Sequence, residues 1–452
     1  MRSQKGIFFM GLILWLGLFN LQATELLFDK AEYAHRREKL MAKISDGVAI
    51  ILGAQPTTGY REFVQNNDFY YYSGVEIPNA ILLVDGRRRE SLLFFTITET
   101  QARNEGLSLN LIRNPQEVTG IERILPLEQF SNYLSRLANQ GYVIYTSFKP
   151  EELPRECSQE KFNILYNNMM LNPWDGRLTR ELQFVTHLKQ RFPQNEVRDC
   201  SAFIWEQRMI KSPAEIELLR QVAKIGVEAH LEMMKATRVG VYEYELAATF
   251  EYICRKRGAD LAYYVIISSD ENHPYLHYYK HDRLLQDGDF LVVDAGPDFK
   301  YYDVDISASY PANGKFSPRQ KEIYEACLAV QRACLEVYRP GITCDQVREE
   351  VRKILIKKGY DVEKDLFKIR TMQGGCSHFV GMAVHDVGGS PRGPLQPGMV
   401  FACDIYAVFP GEKLGVRIED TVVITDRGCE NLTKNLPREI SEIERIMTQA
   451  KR

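Results

Sequence analysis

The chain has 452 residues, and an allowance of about 100–200 residues per domain predicts two or three domains. Hydrophobic residues make up 45% and charged residues 26%, which is ordinary for a globular protein. The formal net charge of -3 leaves no basic footprint, so composition excludes nucleic acid as the expected partner.

The N-terminal segment differs from the rest of the chain. Arg2 and Lys5 precede an apolar run over residues 7–19 that is short for a membrane span, and a cleavage site ends at Ala23. This order is typical of a secretory signal, with an uncleaved anchor as the alternative. We therefore expect residues 1–23 to be a signal peptide. The mature protein would be exported, periplasmic or secreted, with no stable membrane span.

The nine cysteines are an odd number for an exported chain, and their spacings match no disulfide framework. Cys327 and Cys334 lie seven residues apart on a predicted helix, about 10 Å along its axis, which is too far for a disulfide bond. Most of the cysteines are therefore expected to be small buried hydrophobic residues.

From residue 24 to residue 205 short strands and helices alternate, which predicts an α/β domain. Residues 48–53 and 80–86 are apolar runs closed by glycine and are predicted to be buried strands. The aromatic run at residues 67–74 is interpreted as a strand packed on the domain core, with a ligand-binding surface as the alternative. This region shows no catalytic constellation.

A capping box marks the entry to a second domain, predicted at residues 206–452. Ser212 is the expected N-cap, Pro213 takes the first helical position and Glu215 completes the box. Ser317 begins a second box of the same form, so two helices with the same start are predicted.

The chain repeats itself after each of these helices. Gly240 and Gly341 lie in similar short segments just after the two helices, and Gly258 and Gly359 each follow eighteen residues later. Both copies then run into apolar strands, so the order helix, helix, strands is used twice. We infer an internal duplication over roughly residues 208–440, whose halves pair their sheets around a pseudo-twofold axis.

Each copy ends in strands that carry acidic residues. Asp294 and Asp404 each lie six positions after a turn glycine, at the end of an apolar run, and Asp305 and Glu419 follow them. Buried carboxylates need a cation, which predicts two divalent ions with bridging carboxylates at one shared site. A structural ion-pair network around Arg417 is the alternative.

Strand alternation refines this prediction. In residues 302–307 it places Asp303, Asp305 and Ser307 on one face. It also directs Cys403 away from the face of its neighbour, so a buried cysteine is favoured over a thiolate ligand.

The histidines form two groups. His378 and His385 lie between the carboxylate strands of the second copy, which favours a role at the site. His273, His277 and His281 have the spacing of one helix face, as in a zinc site. A proline and several tyrosines among them favour a strand or loop instead.

Together these residues resemble the motif set of the pita-bread metallopeptidases, the family of creatinase, aminopeptidase P, prolidase and methionine aminopeptidase-like proteins. The matching motifs are Val293-Asp294-Ala295-Gly296, Asp305-Ile306-Ser307, Ser377-His378, His385-Asp386-Val387-Gly388 and Val416-Arg417-Ile418-Glu419. Residues 208–215 resemble the entry to the family's catalytic domain, and residues 67–74 resemble its N-terminal domain. The resemblance covers the mature chain. It implies an α/β (α+β) fold, with a creatinase-like N-terminal domain followed by a duplicated pita-bread catalytic domain.

Matched position by position, the resemblance implies a two-metal centre. The ligand positions correspond to Asp294, Asp305, His378, Asp404 and Glu419, with Asp305 and Glu419 bridging to the second ion. One histidine among oxygen ligands favours hard ions, manganese first, with zinc or cobalt as alternatives.

The implied reaction is hydrolysis of the bond between an N-terminal residue and proline, the activity of an Xaa-Pro aminopeptidase. A metal-bridged hydroxide would attack the carbonyl carbon of a proline-containing peptide. His277 and His385 would hold the substrate or stabilise the oxyanion. Asp404 would move a proton to the leaving nitrogen, and Arg417 would support the ligands. The family likeness also implies a homodimer or homotetramer.

Three positions depart from the family pattern. Asp404 stands where glutamate is usual, Gly374 where a histidine is usual, and Ser307-Ala308-Ser309 where the family has Thr-Arg-Thr. Two alternatives therefore stay open. One is an Xaa-Pro dipeptidase, with Arg392 as a candidate to hold the product-side carboxylate. The other is a pita-bread protein that binds without peptidase activity.

Overall fold

The computed structural model describes residues 26–450 except residues 58, 60, 157, 173 and 175. The predicted signal peptide, residues 1–23, lies outside this described part. Within the described part, no helix is both long and apolar enough to cross a membrane.

The N-terminal domain is built on a mixed sheet with helices around it. Its strands are β1 Gly47–Leu52, β2 Ile81–Asp85, β3 Glu90–Phe94, β4 Arg123–Leu125, β5 Val143–Thr146 and β6 Val197–Asp199. Its helices are α1 Lys30–Lys43, α2 Asn67–Ser73, α3 Glu99–Asn104, α4 Leu109–Arg113, α5 Pro115–Thr119, α6 Phe130–Asn139, α7 Ser158–Leu171, α8 Arg180–Arg191 and α9 Ser201–Met209. The strand order is β4-β3-β2-β1-β5-β6. The predicted strands at residues 48–53 and 80–86 are confirmed as β1 and β2, which pair antiparallel.

The aromatic run at residues 67–74 is a helix, so its interpretation as a strand is wrong. The side chain of Asn66 caps the N-terminus of α2 by accepting a hydrogen bond from the backbone of Asp68, and Gly74 ends the helix with φ of 66°. Buried Arg36 and Arg37 donate to carbonyl oxygens in its last turn. These caps outweigh the strand propensity of the aromatic residues, which are buried as expected.

The catalytic domain contains the remaining elements. Its helices are α10 Pro213–Ala236, α11 Glu243–Lys256, α12 Pro318–Val337, α13 Cys344–Lys357, α14 Asp365–Lys368 and α15 Ile440–Gln449. Its strands are β7 Asp260–Leu261, β8 Ile266–Ser269, β9 Phe290–Asp294, β10 Pro297–Phe299, β11 Tyr302–Asp303, β12 Ser307–Pro311, β13 Val400–Phe409, β14 Leu414–Ile424 and β15 Cys429–Asn431. Short 3₁₀ helices occur at Leu127–Gln129, Asp270–Asn272, Arg370–Gln373 and Pro410–Glu412.

Both predicted capping boxes are formed. The hydroxyl of Ser212 accepts from the backbone N–H of Glu215, whose carboxylate accepts from the backbone of Ser212. Ser317 and Gln320 make the same exchange at the start of α12. The helix pairs α10–α11 and α12–α13 follow, so the predicted repetition of two helices before the strands is confirmed.

The strands of the two halves join in one antiparallel sheet. Its order is β13-β14-β12-β9-β8, and the halves meet where β12 pairs with β14. The predicted continuous strand over residues 302–307 is wrong, because β11 ends at Asp303 and β12 begins at Ser307. Between these strands the hydroxyl of Thr421 accepts a hydrogen bond from the backbone N–H of Asp305 and donates one to its carbonyl oxygen. These two bonds replace strand pairing at Asp305.

Cysteines serve two purposes in the described part of the chain. Cys200, Cys254, Cys327, Cys334 and Cys403 are buried thiols, as predicted, and Cys429 is partly buried. Cys344 and Cys376 form a disulfide bond that the sequence analysis did not predict. A separation of 32 residues gives no framework spacing, so only the fold brings this pair together.

Candidate metal centre

Strand register aligns the predicted carboxylates in one row across the sheet. Asp294, the last residue of β9, lies opposite Ser307 at the start of β12. Ser307 also lies opposite Glu419 of β14, and Glu419 lies opposite Asp404 of β13. Asp305 stands two residues before Ser307 in the chain. The fold thus brings the acidic residues of both halves together.

Two overlapping groups of side chains direct their ligand atoms to a common point. Ligand oxygens of Asp294, Asp305 and Glu419 lie within 4.8 Å of one another. Ligand atoms of Asp305, His378 and His385 meet the same limit. His378 Nε2 lies 3.3 Å from Asp305 Oδ2 and 3.9 Å from Glu419 Oε1. Asp305 belongs to both groups, which is the position that a bridging carboxylate requires.

Two buried atoms in these groups have no hydrogen-bond partner among the described residues. They are His378 Nε2 and Glu419 Oε1. An unpaired buried polar atom costs about 1–3 kcal/mol, and more when it is charged. A divalent ion beside these atoms would remove that cost, and oxygen ligands with one imidazole suit manganese, zinc or cobalt. The residues present therefore fit a divalent-metal centre.

Arg417 neutralises part of the negative charge. Its Nε and Nη2 each donate to an oxygen of Asp404 over 3.0 Å, and its Nη1 donates to Asp294 Oδ2 over 2.5 Å. Nη2 also lies 3.2 Å from Glu419 Oε2. Asp404 contributes no atom to either group of converging ligands. Four carboxyl groups face one guanidinium and, through Asp305, the imidazole of His378, so an ion-pair network leaves two of the four without a counter-charge.

Asp294, Asp305 and His385 of the converging groups line a cavity of about 300 Å³. Tyr263 reaches into it, and its hydroxyl lies 2.6 Å from Asp294 Oδ1 and 2.6 Å from Asp305 Oδ1. The remaining lining residues are Glu160, Ile164, Tyr264, Ile266, His277, Val384 and Arg417. The volume is at the lower end of small-ligand pockets, which are about 300–1,000 Å³.

The two predicted substrate histidines both line this cavity. His277 lies in a loop, as predicted, and not on a zinc-binding helix face. The ring of His385 lies with its centre 3.9 Å from that of His378. Its Nδ1 lies 2.5 Å from Glu160 Oε1. Because Glu160 belongs to α7, the N-terminal domain contributes to the wall of the site.

A larger cavity, about 690 Å³, lies along α13 and residues 362–373. None of the predicted site residues lines it. Its wall consists mainly of paired surface charges, such as Arg352 with Glu363. The converging ligand atoms, and not cavity size, locate the candidate site.

Known proteins share both domains of this chain. The family model for the aminopeptidase P N-terminal domain matches residues 33–145, and that for metallopeptidase family M24 matches residues 217–426. The chain is 30% identical to the Xaa-Pro aminopeptidase of Escherichia coli (strain K12), over 94% of this chain and 99% of that protein. The chain belongs to metallopeptidase family M24.

Two further comparisons agree with this assignment. The structure of aminopeptidase P from E. coli with the inhibitor Pro-Leu matches with a TM-score of 0.74 at 28% identity, covering 94% of this chain and 99% of that one. An Xaa-Pro dipeptidase from Pongo abelii is 30% identical over 96% of this chain and 95% of the dipeptidase. The M24 assignment makes this protein a metal-dependent hydrolase with the predicted two-domain α/β architecture.

Burial and mutual repulsion set the protonation of the M24 carboxylates. Burial raises the pKa of Asp294 to about 7, with Arg417 opposing and the carboxylate of Asp305 adding to the rise. Burial also raises the pKa of Glu419 well above its usual range. For Asp305 burial acts in the same direction, but the adjacent His378 outweighs it and lowers the pKa of that carboxyl.

The two serines that replace the family's threonines keep hydroxyl contacts at the site. Ser307 Oγ donates to Glu419 Oε2 over 2.7 Å. Ser309 Oγ donates to the carbonyl of Arg417 over 2.9 Å and accepts from its backbone N–H over 2.8 Å. Both hydroxyls therefore support residues of the centre, although the sequence motif differs.

Gly374 and Arg392 also have clear surroundings. Gly374 has φ of 75°, and a Cβ there would lie 2.9 Å from Cys334 Sγ, so no histidine fits this backbone. Arg392 is exposed and does not line the cavity. The cavity described here therefore has neither a histidine side chain from position 374 nor the guanidinium of Arg392 in its wall.

Tyr263 and Glu160 are site residues that the sequence analysis missed. Tyr263 is one of many tyrosines, and its position just before β8 gives no pattern that separates it from core aromatics. Glu160 reaches His385 across a separation of 225 residues, which depends on how the two domains pack. No local sequence signal reports either contact.

Proposed function

We propose that this M24 enzyme is an exported Xaa-Pro aminopeptidase. The observation that carries the proposal is the row of carboxylates Asp294, Glu419 and Asp404, aligned through Ser307, with buried ligand atoms that lack hydrogen-bond partners. The relative with the same two domains at 30% identity is an Xaa-Pro aminopeptidase. The substrate would be a peptide with proline in its second position.

The ligands proposed for two divalent ions are Asp294, Asp305, His378, Asp404 and Glu419. Manganese is the first choice, because most of these ligands are hard oxygen atoms, with zinc or cobalt as alternatives. Two ions bound here would acidify a water molecule and polarise the carbonyl of the scissile bond. To join the ligands, the Asp404 side chain would need to turn away from Arg417. Alternatively, one carboxylate oxygen would bind a metal ion while the other keeps its hydrogen bond from Arg417.

Proton delivery falls to Asp404 in this proposal. A proline nitrogen carries no hydrogen in the peptide bond, so it must gain one as the bond breaks. Asp404 lies at the edge of the row, where a carboxylate can take a proton from water and pass it to that nitrogen. Its paired hydrogen bonds from Arg417 fix its orientation.

His277 and His385 would act on the substrate carbonyl. Both line the cavity from different segments of the chain, and an imidazole N–H aimed at the oxygen stabilises developing negative charge. The contact with Glu160 fixes one ring nitrogen of His385, which leaves the other nitrogen for the substrate or a metal. Their proposed role is to hold the substrate and its oxyanion.

Export rests on two features. The predicted signal peptide precedes the described residues, and Cys344 and Cys376 form a disulfide bond. Disulfide bonds persist in oxidising compartments such as the periplasm. We therefore keep periplasmic or secreted as the location. The homodimer or homotetramer also stays a prediction.

Xaa-Pro dipeptidase is the second candidate, because one relative of similar identity has that name. A dipeptidase must hold the free carboxylate of proline. Among the described residues that line the cavity, Arg417 is the one guanidinium or ammonium group, and carboxylates already occupy it. This favours longer peptides, whose chain continues beyond proline.

A comparison of Xaa-Pro-Yaa tripeptides with Xaa-Pro dipeptides tests the proposal on manganese-loaded protein. The expected result is a kcat/KM at least about tenfold higher for the tripeptide, since the dipeptide leaves a carboxylate unpaired in the cavity. A preference for the dipeptide would establish the dipeptidase instead. No turnover of either peptide, with metal bound, would support the binding protein without activity and refute both enzymes.

A further inference from the structure

The disulfide bond between Cys344 and Cys376 joins the start of a helix to the segment that carries a proposed metal ligand. Cys344 is the first residue of α13, and a capping box between Thr343 and Gln346 fixes the start of that helix. Cys376 lies two residues before His378. Because two residues of extended backbone span at most about 7 Å, the bond anchors the chain close to the imidazole.

Residues 374–376 have little regular structure of their own. They belong to no helix or strand, and the two glycines among them have φ of 75° and 125°, which glycine adopts without strain. Backbone pairing with β13 begins at Ser377, whose N–H donates to the carbonyl oxygen of Ala402 over 3.1 Å. The disulfide bond is therefore a covalent constraint on the chain just before His378.

The position of this histidine matters because its imidazole serves two carboxylates. Nε2 of His378 lies 3.3 Å from Asp305 Oδ2 and 3.9 Å from Glu419 Oε1. Distances between a metal ion and its ligands vary by only about 0.2 Å. A small shift of the backbone at Cys376 would therefore move the imidazole out of range of an ion held by these carboxylates.

The bond is open to reduction. Both of its cysteines are partly exposed, whereas most of the free thiols described in this chain are buried. The cavity of about 690 Å³ reaches this region, because Asp345 and Gln373 line it. A dithiol reductant would give the bond two electrons and two protons and end as its own disulfide, which leaves Cys344 and Cys376 as two thiols.

We propose that the Cys344–Cys376 bond is a redox-sensitive element that positions His378 for metal binding. The proposal rests on the proposed metal centre and deepens it, because metal retention then depends on the oxidation state of the compartment. The oxidised chain holds manganese tightly, and the reduced chain holds it weakly. Protein made in a reducing cytosol would gain its full metal content only after export to an oxidising compartment.

Isothermal titration of metal-free protein with manganese tests this role without a substrate. The samples are the oxidised wild type, the wild type reduced with a water-soluble phosphine, and the double variant Cys344→Ser with Cys376→Ser. The phosphine takes the oxygen of a water molecule, and the two hydrogens of that water end on the two sulfurs. A count of free thiols before each titration gives the oxidation state.

Two controls keep the bond intact. Cys429→Ser removes a partly buried free thiol of the same domain. Thr343→Ala weakens the capping box at the start of α13 and so lowers stability next to the bond. All titrations are made at a temperature where unfolding curves show every sample folded.

Reduction and the double serine variant should each weaken the binding of at least one manganese ion about 10- to 100-fold, the usual cost of losing a group that supports a metal ligand. The double variant should no longer respond to the phosphine. Cys429→Ser and Thr343→Ala should match the oxidised wild type before reduction. Excess manganese should restore the kcat of the reduced enzyme on an Xaa-Pro-Yaa tripeptide.

An unchanged manganese affinity after reduction, or an equal loss in Thr343→Ala, would overturn the proposal. A kcat that excess manganese does not restore would assign the bond to folding instead. If no form of the protein cleaves a peptide, the proposed function fails, and the titrations still decide the role of the bond.

Discussion

Arg417 contacts more carboxylates of the centre than any other cation described in this chain. It donates two hydrogen bonds to Asp404 and one to Asp294. The planar guanidinium makes this paired contact, and a lysine ammonium does not. Arg417→Lys should therefore lower kcat about 10- to 100-fold, the usual cost of losing a group that supports metal ligands. Steady-state kinetics at saturating manganese measures the effect.

A matched control exists on the surface. Arg319 makes a similar paired contact with Glu412, through Nε over 2.7 Å and Nη2 over 2.9 Å. Arg319→Lys should leave kcat within about twofold, because exposed ion pairs contribute about 0–1 kcal/mol. If both variants lose the same activity, or if Arg417→Lys loses none, the assigned role of Arg417 is wrong.

The acidic residues of the candidate metal centre could be predicted from the sequence for a physical reason. Carboxylates cannot be buried without a cation, so acidic residues at the ends of apolar runs stand out from the sequence. Asp294 and Asp404 showed this signal, and register places them in one row. An ion-pair network around Arg417 was the alternative that the sequence offered, but its paired contact with Asp404 depends on the length of one side chain.

The loop that carries His385 is held by elements of both domains. Arg208, at the end of α9, donates to Asp68 over 2.8 Å, to Glu152 over 2.6 Å and to Asp386 over 2.7 Å. All of these groups are buried or nearly so. Because Asp386 follows His385 directly, Arg208 is a positioning residue for the proposed substrate histidine.

Arg208→Lys should lower kcat about 100-fold, the cost of displacing a catalytic side chain by about 1 Å, with a smaller change in KM. Arg37→Lys is the control, because Arg37 is equally buried but donates to Ser91 and Tyr72, away from that loop. Both variants are assayed at a temperature where unfolding curves show them folded. Equal losses of kcat would mean that Arg208 acts only through stability.

Helix α11 carries a buried acid that makes stability depend on pH. Burial raises the pKa of Glu243 from its ordinary value near 4.5 to about 7, although Ser269 donates a hydrogen bond to it. A raised carboxyl pKa gives stability that is present below pH about 4.5 and is lost as pH rises through 7.

Glu243→Gln removes that titration. The variant should be more stable than the wild type at pH 8, on the order of 2 kcal/mol, and comparable at pH 5. Urea unfolding at both pH values measures this, and the exposed Glu251→Gln on the same helix is the control. A wild type whose stability does not fall between pH 5 and pH 8 relative to the variant would contradict it.

Helices and strands could be predicted where the sequence signal lies within a few neighbouring residues. The capping boxes at Ser212 and Ser317 predicted two helix starts, because the box satisfies backbone groups within four residues. Helix α2 was not predicted, since its aromatic residues favour a strand and its last carbonyls are capped by arginines of α1. The Cys344–Cys376 bond likewise depends on the fold.

The whole molecule combines a duplicated catalytic domain with an N-terminal domain that reaches its site. The duplication was visible in the sequence, because each half must repeat its helix starts and glycine turns. The contribution of α7 was not, since Glu160 and Ile164 gain their roles only from domain packing. We propose that the domains divide at residues 205 and 206, as the sequence predicts.

Metal stoichiometry tests the central claim most directly. Isothermal titration of metal-free protein with manganese should show two ions per chain. Asp294→Asn should lose at least one of them, together with hydrolysis. Asp303→Asn is the control, because Asp303 is fully buried near the centre but belongs to neither ligand group. Two bound ions in wild type and Asp303→Asn would support the account. Fewer than one ion in the folded wild type, or two in Asp294→Asn, would contradict it.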